Sequence, residues 1–190
     1  LMTGRYPFRT DVSRWPKQPL IEKGQVTIAS LLRDQGYHTA MVGKWHLGFQ
    51  PEFLPTKQGF DSYFGIPYSN DMGTKPARPS FPPLPLMRDD KTIETEPDQA
   101  QLTKRYTEEA VKFVTTNKDK PFFLYLPHTM IHFPLAASAD FKGKSKMGFI
   151  GDTIEEIDWS HGHITQTLDQ LKQHENTPVR STAQNGPAGR

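Results

Sequence analysis

Lys44 and His46 sit two residues apart in the run Gly43-Lys44-Trp45-His46-Leu47-Gly48. Glycine at both ends lets the backbone turn sharply on either side. The run follows an apolar stretch, residues 37–42, that reads as a strand. Along an extended chain alternate residues share a face, which would point Lys44 and His46 one way and Trp45 into the core. An ammonium beside an imidazole at a strand end makes a compact anion site, at the edge where α/β enzymes place their chemistry. By itself a Lys-x-His triplet is also what a surface lysine beside a core histidine looks like.

A second group is Pro127-His128-Thr129-Met130-Ile131-His132-Phe133-Pro134, directly after the apolar run 122–126. Two histidines there can act as general acid, general base or ligand. Their spacing alone would suit zinc, but no glutamate base and no third ligand accompany them. A third group is Gln184-Asn185-Gly186-Pro187. An asparagine amide oxygen past a strand can hold a hard cation, and Asn before Gly is equally an ordinary turn former.

These groups need a scaffold. The spacing predicts a short helix capped by Thr27, with Ile28, Leu31 and Leu32 on one face and Gly36 ending it. Residues 59–67 read as an aromatic loop, and the proline-rich residues 73–97 as a surface excursion. Asp98 and Gln101 fit a helix start, with Leu102, Tyr106, Ala110, Phe113 and Val114 as its apolar face. Residues 122–126 suit a strand covered on both sides. A long helix starts near Asp152 and repeats Ile154, Ile157, His161, Ile164, Leu168 and Leu171. A last strand is expected over residues 179–183. Strands alternating with helices predict an α/β layered domain.

Composition narrows the classes. The chain has 190 residues, enough for one domain with a core. A net charge of +2, with both signs spread along the chain, argues against nucleic acid as a partner. No apolar run is long enough for a membrane span. Cysteine is absent, which excludes disulfides and thiolate metal sites. The chain opens on Leu1 without a targeting pattern and stops in a turn-rich segment, so it reads as an internal piece of something longer.

Taken together, the segments resemble the formylglycine-dependent sulfatases of the alkaline-phosphatase-like superfamily, and most closely the arylsulfatase A type. Leu1-Met2-Thr3-Gly4-Arg5-Tyr6-Pro7 resembles the tail of that family's first signature, and residues 36–48 resemble the second nearly in full. Gly65-Ile66-Pro67-Tyr68-Ser69-Asn70-Asp71 resembles a substrate-side loop, and residues 128–134 resemble the histidine-rich region. The resemblance implies an α/β/α sandwich with a mostly parallel sheet, incomplete at both ends. Residues 1–190 would then be part of one catalytic domain, without its nucleophile segment and its C-terminal subdomain. The implied activity is hydrolysis of a sulfate ester on a small molecule or glycan. Lys44 would neutralise a sulfate oxygen, His46 would hydrogen-bond the nucleophile's hydroxyl, and His132 would protonate the leaving oxygen. Ser69 and, more weakly, His128 would lie beside the substrate. Ca²⁺ is the implied cofactor, with Asn185 at a ligand position and Gln184 where the family has an aspartate.

The departures from the family pattern carry expectations too. The formylglycine, its arginine and two metal-binding aspartates match positions upstream of Leu1, and a second sulfate-binding lysine matches one past Arg190. The 190-residue piece alone is therefore expected to be inactive. A formylglycine-generating maturation enzyme is the implied partner of the longer protein. Such enzymes are exported or lysosomal, which is a property of the family and not a reading of this chain. Two alternatives remain. One is a phosphodiesterase or phosphonate monoester hydrolase of the same superfamily. The other is a catalytically dead module that binds sulfated glycans, with Lys142, Lys144 and Lys146 adding to the anion surface.

Overall fold

The computed structural model describes residues 1–6, 19–73 and 81–182. Three parallel strands form its centre: β1 (His38–Lys44), β2 (Ser62–Ile66) and β5 (Phe122–Tyr125), with β1 between the other two. A hairpin of β3 (Pro85–Arg88) and β4 (Lys91–Thr95) adds antiparallel to β2, giving the order β4-β3-β2-β1-β5. The helices are α1 (Ile28–Asp34), α2 (Leu102–Thr116) and α3 (Gly148–Gln170).

Alternation along the central strands divides the core in two. Met41 and Tyr63 face one side, where they meet Ala29 of α1 together with Trp45, Leu54 and Phe60. Val42, Phe64 and Ile66 face the other and meet Leu102 and Tyr106 of α2. A period of two on the strands thus builds two hydrophobic layers around one sheet.

The strand ends approach each other unusually closely. Gly43 of β1 lies opposite Gly65 of β2. A Cβ on Gly65 would sit 1.8 Å from the Gly43 carbonyl oxygen, and one on Gly43 would sit 2.1 Å from the Pro127 carbonyl oxygen. Gly43 also has φ of 129°, which other residues rarely adopt.

Several elements differ from the sequence reading. α1 keeps its Thr27 cap, with Ser30 Oγ and Thr27 Oγ1 closing a reciprocal capping box. Its buried residue is Ala29, however, while Ile28 and Leu31 are exposed. Close approach to the Gly59 turn selects the smallest side chain there: a Cβ on Gly59 would meet Ser30 N at 2.2 Å. Residues 62–66 are a strand and not a loop, because their aromatics alternate between the two core layers. The proline-rich excursion contains the β3–β4 hairpin. It is pinned to α2 by Arg88–Glu109 and Arg105–Glu94 ion pairs at 2.5 and 2.6 Å. β5 is an edge strand in this sheet and is half-buried throughout, so it is not covered on both faces. Residues 179–182 form no strand, and residue 183 lies outside the described residues.

α3 starts at Gly148, ahead of the expected Asp152, and its buried face includes the expected Ile164 and Leu168 but differs in the first half. Asp152, Glu156 and Ser160 are buried, whereas Ile154 is exposed. Each of these side chains has a specific partner, although Glu156 Oε1 is buried without one among the described residues. Asp152 accepts hydrogen bonds from the backbone N–H groups of Gly143, Lys144 and Ser145 at 2.7, 3.1 and 2.8 Å. Those bonds hold its carboxyl below the usual carboxylate range. Glu156 accepts from Ser138 N at 3.0 Å, and Ser160 accepts from Thr107 Oγ1 at 2.6 Å. Partnered in this way, acidic and hydroxyl residues can occupy a core-facing stripe.

Gly65→Ala is expected to destabilise the chain by about 3 kcal/mol or more, since backbone on both sides blocks relief of the clash. Gly162→Ala on α3, where an added Cβ meets nothing within 4 Å, should instead stabilise it by about 0.5–1 kcal/mol. Urea unfolding of the two variants checks the contrast; equal effects would refute the close approach.

Candidate active site

The central strands are joined beyond their last paired residues. Lys44 N donates to Pro127 O at 2.8 Å, Trp45 N to Ile66 O at 3.0 Å, and His46 N to Pro67 O at 3.1 Å. These bonds pull the segments after β1, β2 and β5 into one cluster. The strand ends at Lys44, and His46 has φ of 60°. His46 is therefore aimed by a left-handed turn and not by simple strand alternation, as the sequence reading had it. That conformation is uncommon for a residue with a Cβ and is held here by its neighbours. Trp45 does point into the core, where its Nε1–H donates to Phe53 O at 2.9 Å and its ring meets Phe60 edge-on.

Lys44 and His46 feel each other and the loop after β5. Burial pushes the His46 imidazole down to about 4, assisted by the Lys44 ammonium and the His132 imidazole, with Asp71 opposing. Burial also lowers Lys44, again with Asp71 opposing. Lys44, His46, Asp71 and His132 thus share one electrostatic neighbourhood. His46 is neutral at pH 7. An arriving oxyanion would favour the protonated form of every base there, so the cluster is built to receive negative charge.

Ser69 is fully buried, and its Oγ lies 3.4 Å from His132 Nδ1. That nitrogen also lies 2.7 Å from the Phe133 carbonyl oxygen. A carbonyl only accepts, so Nδ1 carries a hydrogen. In neutral His132 the lone pair is therefore on Nε2, and in the imidazolium both ring nitrogens carry hydrogen.

His128 departs from its expected place beside a substrate. It packs between α2 and α3, with Nε2 3.2 Å from Ser160 Oγ and its ring beside Tyr106 and His161. Burial pushes it down to about 4, with His161 adding to the shift. It shares no hydrogen bond with the Lys44 cluster. The loop simply turns between the two histidines, which a linear spacing cannot register.

Sequence reasoning passed over Asp71 and Asn70. Both lie in the loop after β2 that carries Ser69, and a Ser-Asn-Asp run leaving a buried strand was the available signal. Gln99 was also passed over; it looked like part of a helix start, and its link to Asn70 is tertiary.

Gln184 and Asn185 lie outside the described residues. Among the described residues no three acidic, histidine or cysteine side chains converge as a metal site requires. Among the described residues no helix is long and apolar enough to cross a membrane.

Comparison with known proteins places the chain as a whole. The family model described as Sulfatase matches residues 1–189. The chain is 35% identical over 208 residues to N-acetylgalactosamine-6-sulfatase of Mus musculus, covering 99% of this chain and 40% of that protein. It is 35% identical over 210 residues to arylsulfatase A of Homo sapiens, covering 98% and 41%. Among solved structures, a sulfatase from Pseudoalteromonas sp. superimposes with a TM-score of 0.76 at 25% identity, covering 92% of this chain and 42% of that one. The chain spans less than half the length of the relatives it matches. The fold is the alkaline-phosphatase-like α/β arrangement of these enzymes, with its sheet flanked by helices.

His128 has a consequence for stability. Its folded-state proton affinity lies below the ordinary value of 6.5, so its contribution to stability is intact above pH 6.5 and is lost as pH falls toward 4. His128→Gln, which does not titrate, is expected to flatten that acid-side loss by about 1–3 kcal/mol. Urea titrations at pH 7 and pH 4 measure it; an unchanged slope would place the acid sensitivity elsewhere.

Proposed function

The chain belongs to the sulfatase family, and we propose that the protein it is part of hydrolyses sulfate esters with Lys44, His46 and His132 at its active site. The convergence of those three groups at the ends of parallel strands is the observation that carries the reading. Residues 1–190 would form part of a single catalytic domain.

In the family a formylglycine supplies a hydroxyl for attack on sulfur, and the matching position would precede Leu1 in a longer protein. The roles of this chain's own residues follow from their chemistry. The Lys44 ammonium holds a sulfate oxygen and offsets charge that grows as the ester bond breaks. His46, neutral at working pH, can both donate and accept, which suits a residue hydrogen-bonded to a nucleophilic hydroxyl. When the S–O bond breaks, the electron pair leaves with the ester oxygen. His132 Nε2–H, opposite the nitrogen tied to Phe133, gives that oxygen its proton. Ser69 Oγ, beside His132 Nδ1, lies where it can hydrogen-bond the substrate or steady the imidazole. His128 is read as a packing residue between α2 and α3.

The substrate class is a sulfate ester carried by a sugar or another small molecule. Equal identity to an N-acetylgalactosamine-6-sulfatase and to an arylsulfatase supports that breadth. Asn185 and Gln184 remain the positions proposed for Ca²⁺, completed by residues of the longer protein. A formylglycine-generating enzyme would be its maturation partner.

Lys44→Ala in the matured full-length protein is expected to lower kcat/KM for 4-nitrophenyl sulfate by about 10²–10³-fold, the usual loss when one charge-stabilising group is removed. The 190-residue chain alone should give no turnover. Unchanged kinetics in the variant, or formylglycine-dependent turnover by the chain alone, would overturn the reading.

A further inference from the structure

The loop that carries His132 is held by an amide pair, one member of which is fully buried. Asn70 is 1% exposed. Its Nδ2 donates to Pro134 O at 3.0 Å and to Gln99 Oε1 at 3.0 Å, with His132 O at 3.5 Å as a third, longer contact. Gln99 returns the interaction by donating from Nε2 to Asn70 O at 3.0 Å. Asn70 therefore spans the backbone on both sides of Phe133, whose carbonyl in turn holds His132 Nδ1. Gln99 sits in the single turn of 3₁₀ helix (Gln99–Gln101) before α2. Asp98 caps that turn by accepting from Ala100 N at 3.0 Å. The chain of contacts runs from a helix start, through two amides, to the imidazole.

Resting on the reading of His132 as the proton donor, we infer that Asn70 and Gln99 are positioning residues that aim its Nε2 at the leaving oxygen. Neither touches the reacting atoms. Their hydrogen-bond logic favours this role over mere filling of space. A buried Asn needs acceptors for both its N–H bonds. Here one acceptor is a carbonyl of the very segment whose peptide orientation fixes the ring, and the other is the Gln99 amide that braces Asn70. Losing the pair would let the 132–134 backbone rotate, release the Phe133 carbonyl from Nδ1, and allow Nε2 to wander. A proton donor displaced by about an ångström loses much of its effect.

The signature is selective. A sulfate ester with an alkoxide leaving group needs the proton, whereas one with a nitrophenolate leaving group does not. The experiment compares kcat/KM for 4-nitrophenyl sulfate and for a hexose 6-sulfate in the matured full-length protein, with wild type, Asn70→Leu, Gln99→Leu and His132→Ala. Asn70→Leu is expected to lower the hexose-sulfate value about 10- to 100-fold and the nitrophenyl value less than about threefold, a fraction of what losing the acid itself costs. Gln99→Leu, which breaks one strut at a half-buried position, should lower the first about three- to tenfold while the protein melts as wild type. Asn70→Leu combined with His132→Ala should be no worse than His132→Ala alone. Equal losses on both esters in Gln99→Leu, or no loss on either, would overturn the positioning role. If His132→Ala itself fails to discriminate between the two esters, the assignment of His132 as acid has failed instead.

Discussion

Backbone-to-backbone contact at the ends of three parallel strands is the constraint on which the rest of this structure depends. Gly43, Gly65 and the Pro127 carbonyl lie so close that no side chain fits between them. Because they do, hydrogen bonds continue past the ladder into the loops, and Lys44, His46, Ser69 and His132 are carried by segments that cannot drift apart. Each of these four residues is delivered by one of those three strand ends. The site is precise because its supports are main chain, which has few soft torsions, and not long side chains.

The electrostatic character of the site follows from that compression. Burial makes Lys44 and His46 reluctant to carry charge, and the groups around them add to or oppose the effect. Asp71 is the opposing carboxylate. Before an anion arrives, the site keeps its positive charge low by leaving His46 neutral. An oxyanion would reverse the balance and draw protons toward the imidazoles. Desolvation that weakens isolated cations therefore strengthens their response to a substrate of opposite charge.

How much could be read beforehand varies by element. The Lys44–His46 pair was legible because an apolar run, two glycines and two basic residues are all local signals. The strand over residues 62–66 was not, since Tyr63 and Phe64 are both aromatic and a period of two disappears when both faces are buried. Prolines in residues 73–97 hid the β3–β4 hairpin, which is an edge addition where proline is tolerated and where ion pairs to α2 do the anchoring. On α3 the apolar period pointed to Ile154, yet the helix turns Asp152, Glu156 and Ser160 inward. Hydrophobicity alone cannot know that a threonine hydroxyl, a serine amide or three consecutive N–H groups will be waiting for a polar side chain.

Local chemistry in the sequence determined which residues could form an anion site, where the strands and capped helices begin, and the family to which the chain belongs. Such features depend on neighbours in the chain, through side-chain periodicity, capping and glycine's freedom at φ. The tertiary structure alone decided that His132 joins His46 while His128, four residues earlier, joins Ser160. It also decided that His46 is aimed by a left-handed turn and that Asn70, braced by Gln99, grips the loop on either side of Phe133. These are contacts between residues up to about sixty positions apart, and they exist only once a sheet has brought its strand ends together.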